Sequence, residues 1–301
     1  MRERAALLAL LAPCVALAAP YDPGADGASL RSGALAANES VNRACSLALA
    51  PGKVAPIKDG LDEGVRHARG AAEAAGRLDE QARQRTAEMA AALKKSETKD
   101  EIPPERQRWR KASSAHAELS ARVEKLPEGP DKRRLKETLK KAAGALQAAD
   151  ETLRKGEDAA AVMGAVLQNM KDASRRARAP AGELSSAADE ALRLAGLLPG
   201  AADEAKALLD LLDQEPKNVS RARAWDQLET TRGLTSGLFT AADAACNRAS
   251  ELHTQSTAFA RAQDVFEKSR SASGAALAAA RPSLDEAEKT LTLVRDSLPP
   301  R

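Results

Sequence analysis

The sequence predicts an all-α fold, namely an elongated antiparallel helical bundle with coiled-coil-like seams. Of the 301 residues, 43% are hydrophobic but only 2% are aromatic, and the abundant Ala, Leu, Glu, Lys and Arg are good helix formers. Apolar residues recur at steps of three and four over long stretches, as on one face of a helix. Glycines and prolines gather between those stretches, where they indicate turns.

Residues 1–18 have the three parts of a secretory signal peptide. Arg2 and Arg4 form a short charged region, an apolar run follows over residues 5–17, and Ala16-Leu17-Ala18 is a small-x-small cleavage site. The run is shorter than the roughly 20 residues that a helix needs to span a bilayer. We therefore predict that residues 1–18 are removed on export; the alternative is an N-terminal helix of the mature chain.

The mature chain is expected to begin with a disordered lead over residues 19–40, which contain Gly, Pro, Asp and Ser without a helical period. A single elongated helical-bundle domain over residues 41–298 should follow. Its first elements are a short helical segment at residues 41–49 and a long helix from about Leu61 to Leu93, whose small and apolar residues keep steps of three and four.

Prolines predict the starts of the next two helices. Pro103 and Pro104 stand where prolines open a helix, and Pro130 is followed by Asp131, a suitable N-cap. The most regular pattern of the chain comes next, and its alternating steps of four and three over about six heptads predict coiled-coil packing. The seam consists of Leu135, Leu139, Ala142, Leu146, Ala149, Leu153, Gly156, Ala160, Met163, Leu167, Met170, Ser174 and Ala177.

Pro180, Pro199 and Pro282 are expected to interrupt the later helices, since proline removes a backbone donor and crowds the preceding turn. A second long stripe lies between the last two of these prolines. It consists of Trp225, Leu228, Thr231, Thr235, Leu238, Ala242, Ala245, Ala249, Leu252, Ser256, Phe259, Ala262 and Phe266. Antiparallel packing of such long helices gives the predicted bundle.

Two kinds of covalent modification are predicted. Cys45 and Cys246 remain once the signal peptide with Cys14 is removed. In an oxidising compartment such a pair predicts one disulfide; the alternative is two free buried thiols. Asn38-Glu-Ser and Asn218-Val-Ser are N-glycosylation acceptors in a eukaryotic host, and both are expected at chain breaks.

No arrangement of residues indicates catalysis, a cofactor or a bound metal. His67, His116 and His253 are the only histidines, and none has a second histidine or cysteine at ligand spacing. The acidic pairs Asp189-Glu190 and Asp203-Glu204 fall in the first turns of predicted helices, where the helix dipole favours negative charge. Phosphate-loop and nucleophile-elbow motifs are missing. We therefore expect a protein that is not an enzyme.

The overall charge restricts the partners. The 46 Lys and Arg residues are nearly balanced by 43 Asp and Glu residues, for a formal net charge of +3. This balance predicts neither nucleic-acid binding nor a polybasic membrane patch, and few aromatic residues are present to stack on bases. Ser297–Arg301 carries no apolar tail, so membrane association is expected only through an anchor that is not visible in this chain.

The segments Val41–Cys45 and Ala244–Ala249 bear a resemblance to a known group. There the chain resembles the helical-bundle surface glycoproteins of African trypanosomes, which include the haptoglobin–haemoglobin receptor, the glutamic-acid/alanine-rich protein and the variant surface glycoprotein. The resemblance is one of architecture over residues 41–298. It implies long antiparallel helices and a bridge between an early and a late cysteine, and it transfers no ligand-binding residue.

These observations predict a secreted or surface-displayed glycoprotein that acts as a coat component or as a receptor for a host macromolecule. Its mechanism would be presentation, with a rigid helical rod that carries a binding tip for a protein partner or another host macromolecule. The alternative is a bacterial periplasmic coiled-coil adaptor or scaffold protein that packs against partner helices.

Overall fold

The computed structural model describes residues 22–47, 49, 52–96, 102–214 and 218–299. Of these residues 94% are helical and none lies in a strand, which confirms the all-α prediction. The helices in chain order are α1 Gly24–Ser46, α2 Val54–Lys95, α3 Ile102–Glu124, α4 Pro130–Gln214 and α5 Asn218–Asp296. The predicted signal peptide, residues 1–18, lies outside the described residues.

The prediction of a disordered lead over residues 19–40 is wrong from Gly24 onwards, because α1 begins there. Its apolar residues keep steps of four and three and are completely buried: Leu30, Ala34, Ala37 and Val41. Gly33 allows close packing, since a Cβ at this position would lie 3.3 Å from the backbone nitrogen of Ala71 in α2. The glycines and serines that suggested disorder are therefore helix-contact residues or lie on the exposed face.

The chain forms two compact units, which replaces the expectation of a single domain over residues 41–298. Unit 1 contains the chain up to Ala90 together with Ala173–Ala260. Unit 2 contains Ala91–Asp172 and the chain from Arg261. Helices α2, α4 and α5 each contribute residues to both units.

In unit 1, α1, α2, α4 and α5 pack together. Arg31, in the first half of α1, pairs with Asp243 at 2.7 Å. Asn42, near the end of α1, accepts a hydrogen bond from Arg232, which precedes Asp243 in α5. The two helices are therefore antiparallel, and the same reversed order of contacts relates α2 to α1 and to α4. The core where all four helices meet contains Val41, Ala44, Cys45, Val54, Ile57, Leu61, Ala202, Ala205, Leu209, Ala224 and Leu228.

In unit 2, α3 packs between the first part of α4 and the last part of α5. Trp109 Nε1 donates a hydrogen bond to the Leu146 carbonyl at 2.9 Å. Later in α3, His116 Nε2 lies 3.2 Å from the carbonyl oxygen of Leu139, which precedes Leu146 in α4. Helices α3 and α4 are therefore antiparallel. Arg108 of α3 pairs with Asp285 of α5, and Arg122, further along α3, donates to the carbonyl of Pro299, just after α5. Helices α3 and α5 are therefore parallel.

The predicted seam of α4 is confirmed at both ends but is less buried between them. In unit 2, the seam residues from Leu135 to Leu153 are all buried. Met163 and Leu167 keep the same spacing yet are only half-buried, whereas Met170 is completely buried again. The sequence period thus identifies the packed face without fixing how deeply each position is covered.

The three internal prolines do not end helices. Pro180 and Pro199 lie inside α4, and Pro282 lies inside α5. Each proline removes one backbone hydrogen bond, but buried residues seven apart bracket each of them, as Leu277 and Leu284 bracket Pro282. Packing on both sides of the proline therefore holds the helix together. By contrast, the predicted starts near Pro103 and Pro130 are confirmed, because these prolines fall in a first turn. The prediction that Asp131 is the N-cap is wrong, because α4 begins one residue earlier and Asp131 lies inside its first turn.

Candidate partner-binding site

The structure separates the two cysteines that we predicted to form a disulfide. Cys45 Sγ lies 3.6 Å from the carbonyl oxygen of Leu228. Cys246 Sγ lies 3.3 Å from the carbonyl oxygen of Gly27, near the opposite end of α1. At 1.5 Å per residue these contacts are roughly 27 Å apart along the paired helices, whereas a disulfide needs Cα atoms within about 7 Å. Both thiols are free, so the predicted Cys45–Cys246 bridge is wrong.

Neither thiol has the properties of a nucleophile. Burial and, to a smaller extent, the nearby Glu229 carboxylate together raise the pKa of Cys45 to about 11. Burial also raises the pKa of Cys246. Both thiols are therefore protonated at neutral pH, and the thiolate, which is the reactive form of cysteine, is scarce.

The two sequons occupy different surroundings. Asn38 lies inside α1, and its Oδ1 accepts hydrogen bonds from Asn42 Nδ2 at 3.1 Å and from Thr235 Oγ1 of α5 at 3.4 Å. The expected chain break at this sequon is therefore wrong, and its Ser40 is buried. Asn218 is the first residue of α5, which fits the expected position at a break. Glycosylation of either residue stays a prediction.

Trp225 lies at the surface of α5, whereas the sequence predicts that it is buried. The sequence pattern places Trp225 in the buried stripe of α5, but it is 43% exposed, and its neighbour Ala224 is fully buried instead. Counting from Ala224 gives steps of four, three and four to Thr235, so the sequence did contain the better register. The indole borders an open cavity of about 690 Å³ in unit 1, lined by Cys45, Ser46, Leu47, Leu49, Arg221, Ala222, Trp225 and Asp226.

The end of α1 and the start of α5 build this Trp225 cavity. Helix α1 ends at Ser46, and Leu47 and Leu49 then leave the helix and pack against the unit 1 core. Gly52 follows with φ of 79°, a left-handed conformation that suits glycine. Its amide donates to Asp213 Oδ1 of α4 at 3.2 Å, which holds the turn beside the cavity. The cavity is therefore lined by the end of α1, the two leucines that follow it and the start of α5.

The rim of the Trp225 cavity carries one charge of each sign. Arg221 and Asp226 are exposed, and neither takes part in an ion pair within the described part of the chain. Ser46 Oγ donates to the carbonyl of Arg43 at 2.7 Å and so lacks a base that would activate it. The arrangement suits binding of an apolar side chain with polar flanks rather than bond-making chemistry.

A second open cavity, of about 750 Å³, runs along the groove between α4 and α5 in unit 1. Small residues dominate its lining, which consists of Gly182, Glu183, Ser186, Ala187, Glu190, Leu194, Ser236, Gly237, Thr240, Ala241 and Ala244. A Cβ on Gly237 would lie 3.2 Å from the Leu194 side chain, so this glycine lets the two helices approach closely. Both rim glutamates already pair with arginines, since Glu183 binds Arg248 and Glu190 binds Arg193.

Arginines of α3 carry the principal ion-pair networks of unit 2. Arg106 binds Glu157 through two hydrogen bonds of 2.7 Å and also pairs with Asp150 of α4. The hydrogen bonds from Arg106 lower the pKa of Glu157. The guanidinium also lies 5.2 Å from the Trp109 ring centre, within cation–π range. Arg108 makes the corresponding network with α5, so α3 is tied to both of its neighbours.

The described residues contain no group of three or more His, Cys, Asp and Glu side chains that could hold a metal ion. His67 lies 3.6 Å from Glu63 in the same helix, and His116 faces a carbonyl of α4. His67 and His116 therefore lie in separate contacts. Among the described helices none is long and apolar enough to cross a bilayer.

No family model, curated protein or solved structure matches this chain.

Proposed function

We propose that this chain is an exported helical-bundle protein that binds a partner protein through the Trp225 cavity of unit 1, as a surface receptor or coat component would. The observation that carries the proposal is a tryptophan that is 43% exposed beside an apolar cavity in a chain with only two tryptophans. Tryptophans in such settings supply a large share of the binding energy at protein interfaces.

The chemistry of the cavity defines the partner. Leu47, Leu49 and Trp225 provide an apolar slot, which suits an inserted aromatic or aliphatic side chain. Arg221 and Asp226 stand unpaired at its rim within the described residues. A partner with a carboxylate and a basic group beside its apolar anchor would complement both charges. We therefore propose a folded protein partner with one apolar anchor residue between opposite charges.

Export is the second part of the proposal, and it rests on the signal-peptide pattern of residues 1–18. The resemblance to trypanosome surface glycoproteins supports surface display, and the sequons at Asn38 and Asn218 support a glycoprotein. Intact cells that produce the tagged full chain should label it with a membrane-impermeant reagent, and N-terminal sequencing should show cleavage after Ala18. A chain that keeps residues 1–18 and escapes labelling contradicts the proposal.

The binding site itself is tested by cross-linking on the cell surface. A photo-crosslinking residue at Ala222, which lines the cavity, should capture a protein that also binds the purified chain. Trp225→Ala should weaken that binding by about 2 kcal/mol or more, as for a typical hot-spot residue. The matched control is Leu293→Ala, since Leu293 is 57% exposed in unit 2. Equal binding by both variants would show that the cavity is not the interface.

The small-residue groove between α4 and α5 favours a second candidate, a periplasmic adaptor that packs against partner helices. Small residues let helix backbones approach closely, and Gly182, Ser186 and Ala241 line this groove. Under this alternative, Ala241→Leu would block partner binding while Trp225→Ala would leave it unchanged. The two proposals thus differ in which variant abolishes the complex.

A further inference from the structure

The first turns of α4 carry a dense run of basic residues. Residues 132–141 read Lys-Arg-Arg-Leu-Lys-Glu-Thr-Leu-Lys-Lys. Lys132 is buried and bonds Glu128, and Lys136 pairs with Glu124 at 2.9 Å. The remaining four basic residues are all exposed, namely Arg133, Arg134, Lys140 and Lys141. We call these four residues the basic face of α4.

The basic face is unneutralised. Within the described residues, none of its four side chains has an ion pair or a side-chain hydrogen bond, and all four lie in unit 2. Glu137 is the acidic residue on the same side of the helix and is exposed. The nearly balanced charge of the whole chain conceals this local excess of positive charge. Such an excess creates a field that attracts anions.

The spacing arranges the four charges in two short rows. Arg133 and Lys140 are seven residues apart, as are Arg134 and Lys141, so each pair lies on one side of the helix roughly 10 Å apart along its axis. Leu135, Leu139 and Ala142 occupy the opposite, buried side. The rows therefore flank the solvent-facing surface of α4, with Glu137 between them.

The basic face lacks the residues that other kinds of partner require. No large apolar side chain is exposed between Pro130 and Asp150. A membrane-binding helix inserts apolar side chains into the bilayer, and a protein interface is centred on aromatic or aliphatic anchors. No aromatic residue is present in this stretch to stack on single-stranded nucleic acid. A linear polyanion, which is bound through charge alone, fits these features.

We propose that the basic face of α4 binds a sulfated polysaccharide. Guanidinium groups can donate two parallel hydrogen bonds to an oxyanion such as sulfate, and ammonium groups add point charges. The choice of a sulfated rather than a phosphate polymer rests on the proposed export of the chain. The surface lies in unit 2 and is separate from the Trp225 cavity of unit 1.

The proposal is tested by measuring what the purified chain binds at an ionic strength of about 0.15 M. The four probes are heparin, heparin stripped of its sulfates, a short DNA duplex and phosphatidylserine vesicles. We expect binding to heparin and not to the desulfated polymer. Replacing the basic face, R133Q/R134Q/K140Q/K141Q, should weaken heparin binding by about tenfold or more, with a shallower salt dependence. Circular dichroism should remain unchanged, since the four side chains are exposed.

The matched control removes the same charge from exposed arginines of unit 1 as R43Q/R66Q/R69Q/R223Q. This variant should bind heparin within about twofold of the wild type if local rather than net charge decides. Glu137→Gln supplies a test that needs no loss of function, because removing the central negative charge should tighten heparin binding.

Four results would overturn the proposal: no binding of heparin, equal loss in the control, unchanged affinity of Glu137→Gln, or DNA or vesicles bound as tightly as heparin. Each of these outcomes leaves the Trp225 cavity and its partner untouched. Failure of the cross-linking experiment, in turn, leaves the heparin measurement valid, so the two proposals fail separately.

Discussion

At the scale of single residues, the two cysteines of unit 1 differ in solvent exposure. Cys45 is 6% exposed, whereas Cys246 is partly accessible. Both face carbonyl oxygens rather than each other. Oxidation is therefore not needed to close unit 1, and the resemblance that implied a bridge does not extend to the cysteine pairing.

We predict that native protein purified without reductant contains two free thiols. At pH 8 Cys45 should react with a thiol reagent at least about tenfold more slowly than Cys246, because it is buried and its pKa is raised to about 11. Denaturation should make the two rates equal. Peptide mapping after differential alkylation measures both values, and a Cys45–Cys246 peptide in the non-reduced digest would contradict the structure.

Glu157 gives a prediction about pH. Hydrogen bonds from Arg106 lower its pKa in the folded state, so the unfolded chain binds a proton more readily than the folded one. The stabilisation is therefore complete above the unfolded value of about 4.3 and is lost as the pH falls through the folded pKa. Glu157→Gln should lower the free energy of unfolding by about 0.5–1 kcal/mol at pH 7, because the carboxylate is partly exposed and screened.

The difference in unfolding free energy between the wild type and Glu157→Gln should shrink as the pH falls below about 4. Denaturant titrations followed by tryptophan fluorescence measure this difference. Glu286→Gln is the control, since Glu286 is exposed and outside this network. A difference that stays constant from neutral to acidic pH would show that the substitution acts through packing rather than through charge.

At the scale of helices, the periodic spacing of small and apolar residues predicted nearly every packed face. It failed at α1 because alanine and serine make up most of its buried residues, and Gly, Ser and Asn are frequent between them. It also failed at the internal prolines, where the sequence predicts interruptions that the structure does not have. Buried residues seven apart, such as Ala177 and Leu184 around Pro180, keep the same phase across the proline, and this continuity was visible in the sequence.

The sequence could not identify the Trp225 cavity, since a register shift of one residue moves the indole from core to surface. The register that buries Ala224 was present in the sequence, but the packing of the end of α1 against the start of α5, which forms the cavity, was not. The basic face of α4, in contrast, was fully present in the sequence, and only the use of whole-chain charge concealed it. Local windows of charge carry information that the sum loses.

The uneven seam of α4 leads to a prediction about packing. Leu153 is completely buried whereas Leu167, two heptads later, is only half-buried. Leu153→Ala should cost about 3 kcal/mol of unfolding free energy, and Leu167→Ala less than about 1.5 kcal/mol. A Trp225→Phe background leaves Trp109 of unit 2 as the only tryptophan, whose fluorescence in urea reports the midpoint. Equal costs would mean that the seam is evenly packed.

Pro282 gives a second prediction for helices. It is exposed inside α5, so Pro282→Ala should restore a backbone hydrogen bond without loss of packing. We expect a gain of about 1–2 kcal/mol, less than the full penalty of an internal proline because the helix has adapted to it. Gly274→Ala, at an exposed glycine of the same helix with open space around it, is the control for helix propensity alone and should gain up to about 1 kcal/mol. A loss of stability on Pro282→Ala would mean that a bend at this position is part of the packing.

At the scale of the whole molecule, each unit contains its own core and one of the two tryptophans. The core around Leu209 belongs to unit 1 with Trp225, and the cores around Leu146 and Leu153 belong to unit 2 with Trp109. A destabilising substitution in one core should therefore lower the unfolding midpoint reported by the tryptophan of the same unit more than the midpoint reported by the other tryptophan. This separation makes two-state treatment of the complete chain unsafe.

We predict that Leu209→Ala shifts the urea midpoint reported by Trp225, in a Trp109→Phe background, more than the midpoint reported by Trp109 in a Trp225→Phe background. Leu153→Ala should show the reverse order. Cavity formation of about 3 kcal/mol in either core makes these shifts large enough to compare. Identical shifts at both tryptophans for both substitutions would show that the chain unfolds as one cooperative unit.

The interrupted course of the chain through unit 1 has a consequence for its synthesis. The helices α1 and α2 are made first, but the partners that complete their core lie in Ala173–Ala260, after the chain has passed through unit 2. At about 5–20 residues per second, the early pair waits roughly 10–30 s for those partners. Alanine supplies three of the residues of α1 that become buried, namely Ala34, Ala37 and Ala44. Because alanine exposes little apolar area, this choice limits the attraction between nascent chains during the delay.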